Sequence, residues 1–180
     1  MTNFLLKRIL QAFFLSFAAF LLAVPNYSLT ARASGGELLI SRPAPSGFFF
    51  VLRFVHSVEQ TPVEDEYRVS GGAIRQWEER VQSHNAGLPF RQSHRGRFTS
   101  DGEWMRFRGG GAFYGQIRYR VGNRSEGRNV LILDRDEIEL FSLFPGKVLL
   151  MRAEKGSYIE RALCLIFPCN RALSRAEARD

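Results

Sequence analysis

Phe48-Phe49-Phe50-Val51-Leu52-Arg53-Phe54-Val55-His56 and, after a short polar break, Pro62-Val63-Glu64-Asp65-Glu66-Tyr67-Arg68-Val69 decide the fold class of this chain. Side chains alternate across a strand, so Phe48, Phe50, Leu52, Phe54 and His56 share one face of the first run. Phe49, Val51, Arg53 and Val55 share the other. Both faces are mostly apolar, which predicts a central strand covered on two sides. In the second run Val63, Tyr67 and Val69 fall on one side and Glu64, Glu66 and Arg68 on the other. Gly71-Gly72 reads as a turn, and residues 73–82 continue as the partner of a hairpin.

Outward from this pair the chain keeps the same character. Residues 37–41 make a first short run, and residues 103–108, 116–121, 129–133 and 147–153 make further ones. Within 116–121 the face Ile117, Tyr119, Val121 is apolar and Gln116, Arg118, Arg120 is polar, as in a half-solvated antiparallel strand. Gly109-Gly110-Gly111, Gly122-Asn123 and Pro145-Gly146 separate the runs. Residues 134–144 fit a strand or a helical turn. The expected architecture is all-β: a single antiparallel β-sandwich or a partly closed barrel. It spans residues 34–156, with residues 157–180 as a C-terminal extension.

The start of the chain is different. Lys7 and Arg8 precede residues 9–24, an uncharged run rich in Phe, Leu and Ala. Pro25 ends any helix there. Ala31-Arg32-Ala33 follows, a small-x-small triplet of the kind signal peptidase reads. Residues 1–33 therefore read as a secretory signal, with a retained membrane anchor through residues 9–24 as the alternative. Either places the working part in the periplasm or at the outer face of the inner membrane. The absence of a cysteine near the triplet excludes a lipoprotein.

Composition agrees with one exported domain. The formal charge is +7, and Lys7, Arg8 and Arg32 account for three of the 25 basic residues and none of the 18 acids, leaving +4 beyond Ala33. That balance suits a solubilising surface and implies no nucleic-acid partner. Cys164 and Cys169 stand close enough to close a disulfide loop around Pro168, and equally read as two members of an apolar run. They lie far from His56, His84 and His94 and lack zinc spacing. No metal and no cofactor is implied.

The candidate site is the polar segment between the two deciding strands, with His56, Ser57, Glu59, Thr61, Pro62, Glu64, Asp65 and Glu66. The loop at Asn85, Gly87 and Pro89 joins it. Ser57 as a nucleophile needs a base, but His56 is its strand neighbour and points to the opposite face. No nucleophile elbow accompanies the pair, so no catalytic residue is assigned. The acids could offer oxygens to a hard cation, but their spacing matches no calcium loop. A purely structural reading has His56 and Thr61 satisfying backbone groups at a strand end while the acids meet arginines. The remaining reading is a recognition surface for a small ligand or a protein.

The same residues carry a resemblance. The run Phe54-Val55-His56-Ser57-Val58-Glu59-Gln60-Thr61-Pro62-Val63-Glu64-Asp65-Glu66-Tyr67 resembles the signature of the bacterial family catalogued as domain of unknown function 1850. Asn85-Ala86-Gly87-Leu88-Pro89 resembles its second element, with Asn85 where a glycine is usual. Asp101-Gly102-Glu103-Trp104 and Pro145-Gly146 fit loosely, and the likeness covers roughly residues 37–154. The resemblance implies a small exported or anchored protein that accompanies TAXI-type tripartite (TRAP) transporters. Its implied partners are the permease or the solute-binding protein, in a non-enzymatic accessory role. A stand-alone periplasmic module for a small organic acid, held by Arg53, Arg106 or Arg118, is the second expectation. A hydrolase using Ser57 or His56 is the third.

Overall fold

The computed structural model describes residues 2–23, 26–82, 96–109 and 111–156. Its elements run α1 (Thr2–Ala23), β1 (Tyr27–Ala33), β2 (Leu38–Pro43), β3 (Phe49–Val55), β4 (Pro62–Ser70), β5 (Ala73–Val81), β6 (Arg97–Ser100), β7 (Met105–Arg108), β8 (Phe113–Tyr114), β9 (Ile117–Arg120), β10 (Val130–Leu133), β11 (Asp136–Glu139), α2 (Leu140–Leu143) and β12 (Val148–Lys155). The two deciding runs of the sequence are β3 and β4, paired antiparallel from Phe49↔Arg68 to Val55↔Pro62.

Two antiparallel sheets stack into an open sandwich. One has the order β2-β1-β12-β9, and the other β11-β10-β3-β4-β5-β7-β6, with β8 added to β5. No closed barrel forms among the described residues. The core between the sheets holds Leu29, Ala31, Ile40, Phe50, Leu52, Tyr67, Val69, Ile74, Leu131, Leu149 and Met151. Phe50 and Tyr67 stack there with ring centroids 5.3 Å apart. Gly71 and Gly72, at φ of 58° and 82°, close the β4–β5 hairpin. Positive φ at both turn positions matches the twist of the flanking strands, which is why two glycines mark the turn.

Three expectations change. The strands begin before Ser34, because Tyr27–Ala33 is an inner strand of the smaller sheet. Residues 134–144 are both of the alternatives in turn, the strand β11 and then the single helical turn α2. And β3 is central but not covered by apolar layers on two sides. Phe50 and Leu52 are fully buried in the core, while Phe49 on the opposite face is 47 % exposed. That outer face is covered by charge instead. Residues 157–180, with Cys164 and Cys169, lie outside the described residues. So do Asn85, Gly87 and Pro89. Among the described residues no helix is long and apolar enough to cross a membrane. The side chains described along α1 end at Phe17.

The β4–β5 pairing explains the charged face. Its register runs Val63↔Val81, Asp65↔Glu79, Glu66↔Glu78 and then Tyr67↔Gln76, so Trp77 is an extra residue without an opposite number. This bulge shifts the alternation of β5 by one position. Val81 and Ile74 both face the core, although seven positions separate them. Glu78 and Arg80 turn outward, and Glu79 turns in. Outside, Glu78 has a fully buried side chain among Arg80, Arg106 and Arg108. Arg53 Nε donates to Glu64 Oε1 at 2.8 Å, and Arg80 Nε lies 3.0 Å from Glu64 Oε2. Arg53 also reaches Glu137, and Arg68 donates to Glu66.

A carboxylate this deeply buried is tolerable only because guanidinium groups surround it; removing it leaves three clustered cations with no counter-charge at their centre. Glu78→Ala is expected to cost about 3 kcal/mol of stability, read as a lower urea midpoint with unchanged slope. Glu78→Gln should fall between it and the native chain, because the amide still accepts hydrogen bonds.

Candidate functional site

The β3–β4 turn is built by His56. Its backbone N–H donates to Thr61 O at 2.8 Å, and Gln60 N–H donates to His56 O at 2.9 Å. The imidazole Nδ1 accepts from the backbone N–H groups of Val58 and Glu59, at 3.3 and 3.2 Å. An Nδ1 that accepts is unprotonated, so the ring proton sits on Nε2. Gln60 takes the left-handed conformation at φ 55°, and its side-chain amide donates to Ser57 O at 2.6 Å. Ser57 and Val58 are exposed. The hydroxyl of Thr61 is buried without a hydrogen-bond partner among the described residues. The histidine therefore acts as a clamp on its own turn, as the purely structural reading of the sequence has it, and it is not aimed at Ser57.

The three successive acids do not form one group. Glu64 and Glu66 lie on the outer face among Arg53, Arg68 and Arg80. Asp65 points inward, directly opposite Glu79. The Asp65 carboxyl is raised from 3.8 to about 7, first by burial and then by the Glu79 charge, against a hydrogen bond from Gln76. Burial also raises Glu79. Tyr114 donates to Gln76 Oε1 at 3.4 Å. Tyr119, on the last strand of the smaller sheet, has its hydroxyl pushed up to about 12 by burial, with Asp65 adding to the rise. Two carboxyls, a glutamine and tyrosines thus meet where the smaller sheet ends at β9 and the larger continues through β5 and β7. Among the described residues no group of three or more His, Cys, Asp or Glu is placed to hold a metal ion.

Several loops gather at the turn's end of the larger sheet. Val55 N–H donates to Gly127 O at 2.7 Å, and Val63↔Val81 brings the end of β5 beside the turn. Asn129 ties this end to the smaller sheet. Its Nδ2 donates to Tyr119 Oη at 2.7 Å, its Oδ1 accepts Gly122 N–H, and its backbone oxygen accepts Phe141 N–H at 3.2 Å. A Cβ at Gly122 would lie 2.1 Å from Glu126 O, so only glycine fits there.

Sequence reasoning missed Glu78, Glu79 and Asn129. The two glutamates are sorted by a bulge that no local pattern announces. Asn129 had a weak signal, a lone amide between Gly127 and an apolar strand. Of the arginines considered as carboxylate forks, Arg53 is engaged by Glu64 and Glu137 and Arg106 by Glu78 and Asp101. Arg118 is exposed on β9.

This arrangement defines a small two-sheet β-sandwich with a histidine-clamped hairpin end and a half-buried carboxyl pair. The family model described as Domain of unknown function (DUF1850) matches residues 50–140. The chain belongs to that family. The match runs from β3 to the first residue of α2 and contains the His56 turn, both carboxyls and Asn129. No curated protein and no solved structure matches the chain.

The raised Asp65 pKa fixes a pH dependence. The folded state holds the Asp65 proton more tightly than the unfolded chain, so this group favours folding at low pH. That advantage is lost as pH rises from about 4 to about 7. Chemical denaturation at pH 5 and pH 8 should show native stability falling by an amount on the order of a few kcal/mol. The Asp65→Asn variant should lose much less. Equal pH slopes in the two proteins would show that Asp65 is ordinary.

Proposed function

We propose that this protein is an exported, non-enzymatic accessory of a TAXI-type tripartite transport system. It contacts the permease or the solute-binding protein through the His56 turn and the loop that carries Asn85, Gly87 and Pro89. The observation that carries this reading is the use made of His56. The most reactive side chain of the segment spends Nδ1 on holding two backbone N–H groups, and Ser57 stands exposed with no base directed at it. A rigid turn that presents Ser57, Val58 and Gln60 to solvent suits recognition better than turnover. The resemblance of this segment to its family's signature supplies the transport context.

The organic-acid module is the less favoured reading. Arg53 and Arg106 already have carboxylate partners, so a ligand carboxylate would have to displace internal ion pairs rather than fill a prepared fork.

Co-purification from detergent-solubilised cells tests the proposal. The native chain should enrich a tripartite permease or its binding protein, and His56→Ala combined with Glu59→Ala should lower the enrichment about tenfold, the equivalent of about 1.4 kcal/mol. Circular dichroism and the urea midpoint of the double variant separate lost contact from lost fold. Undiminished enrichment by a folded double variant defeats the turn as the contact, and no enrichment by the native chain defeats the accessory role.

A further inference from the structure

The outer face of the larger sheet changes character along its strands. Toward the His56 turn its arginines are matched: Arg53, Arg80, Arg106 and Arg108 all reach carboxylates. Toward Gly71-Gly72 the matching stops. The registers Phe49↔Arg68, Arg68↔Arg75 and Arg75↔Phe113 set four side chains in one row across β3, β4, β5 and β8. The row contains no acid. Phe49 and Phe113 at its ends are 47 % and 61 % exposed, and the bulge residue Trp77 lies beside its two arginines.

Those arginines differ. Arg68 donates to Glu66 Oε1 at 3.0 Å. Arg75 instead reaches two rings, its Cζ 5.3 Å from the centroid of Trp77 and 5.4 Å from that of Phe113. It makes no ion pair among the described residues, and its Nε is buried without an acceptor. Ring contacts fix a guanidinium in place but do not use its N–H groups as a carboxylate does. A held guanidinium with no counter-charge is a prepared fork, with little rotamer freedom left to lose on binding. The exposed rings around it offer apolar contact to whatever carries the carboxylate. Aromatic residues and arginine are the side chains that protein interfaces concentrate. A small free anion favours a concave site, whereas this is the open face of a sheet. A nucleic-acid strand needs a track of uncompensated cations, and the row holds one.

We propose that Phe49, Arg68, Arg75 and Phe113, with Trp77, form a docking surface for a partner protein. The segment it takes presents a carboxylate between apolar side chains. The carboxylate pairs with Arg75, and the apolar side chains cover Phe49, Phe113 and Trp77. This surface stands at the opposite end of β3 and β4 from the His56 turn and is independent of the transport reading.

The test uses the full chain in detergent and a fluorescein-labelled, end-blocked peptide, Leu-Phe-Asp-Phe-Leu, titrated to about 1 mM. The same peptide with Asn for Asp, and a labelled thymidine oligomer, are the comparisons. Anisotropy should show saturable binding of the acidic peptide, weakened by added salt, and about tenfold weaker binding of the Asn peptide. Arg75→Gln and Phe113→Ala should each weaken the acidic peptide about tenfold, with circular dichroism unchanged. Arg118→Gln, on the smaller sheet, should leave its binding as it was. No saturable binding, equal binding of the two peptides, or undiminished binding by Arg75→Gln overturns the carboxylate site. Preference for the oligomer overturns the protein partner. Binding that appears only after residues 157–180 are removed assigns the surface to the chain's own tail and overturns the partner as well.

Discussion

Trp77 is one residue more than the β4–β5 ladder needs, and much of the domain follows from that surplus. With strict alternation, Ile74 and Val81 could not both face the core. The bulge reconciles them, and in doing so divides two adjacent glutamates between opposite faces of the sheet. Glu78 becomes the buried centre of an arginine cluster, and Glu79 becomes the partner of Asp65. The displaced indole is not wasted on solvent: Arg68 lies 3.9 Å from its ring centroid, with Arg75 at 5.3 Å. Those cation–π contacts hold the bulge outward.

The larger sheet has therefore solved the problem of its second face without a second apolar layer. Successive strands set Arg53, Glu64, Arg80 and Arg106 in one row across the sheet. Arginine suits this role better than lysine, because its planar fork reaches two carboxylates at once and it is less strongly hydrated. The composition of the chain, with three lysines among 25 basic residues, acquires a structural use on this face. Ion pairs at partly exposed positions contribute little singly; the buried Glu78 is what makes this set cooperate.

Much of the fold was legible because it rests on simple alternation. Phe50, Leu52, Val63, Tyr67 and Val69 all face the core as their spacing implies, and Gly71-Gly72 closes the hairpin. Where the pattern failed, a non-local cause intervened. Tyr27–Ala33 was hidden by its neighbourhood, since a short run beside an apolar helix and a small-x-small triplet reads as a leader. Its partner β12 is more than a hundred residues away. Two of the acids were legible as partners of arginine and one was not, because the inward direction of Asp65 matters only when Glu79 is known to oppose it. The role of His56 was legible as one of several alternatives, and backbone geometry had to choose among them.

The pairing of β1 with β12 has a consequence for how the chain comes into being. These strands lie near the two ends of the described chain, yet they sit side by side in the middle of their sheet. The sandwich therefore cannot close until residue 155 is present, and closure must bring together segments separated by almost the whole domain. Such long-range topologies are slow to form. A nascent chain of this design therefore stays open while it is being made, and its core waits for β12, which supplies Leu149 and Met151.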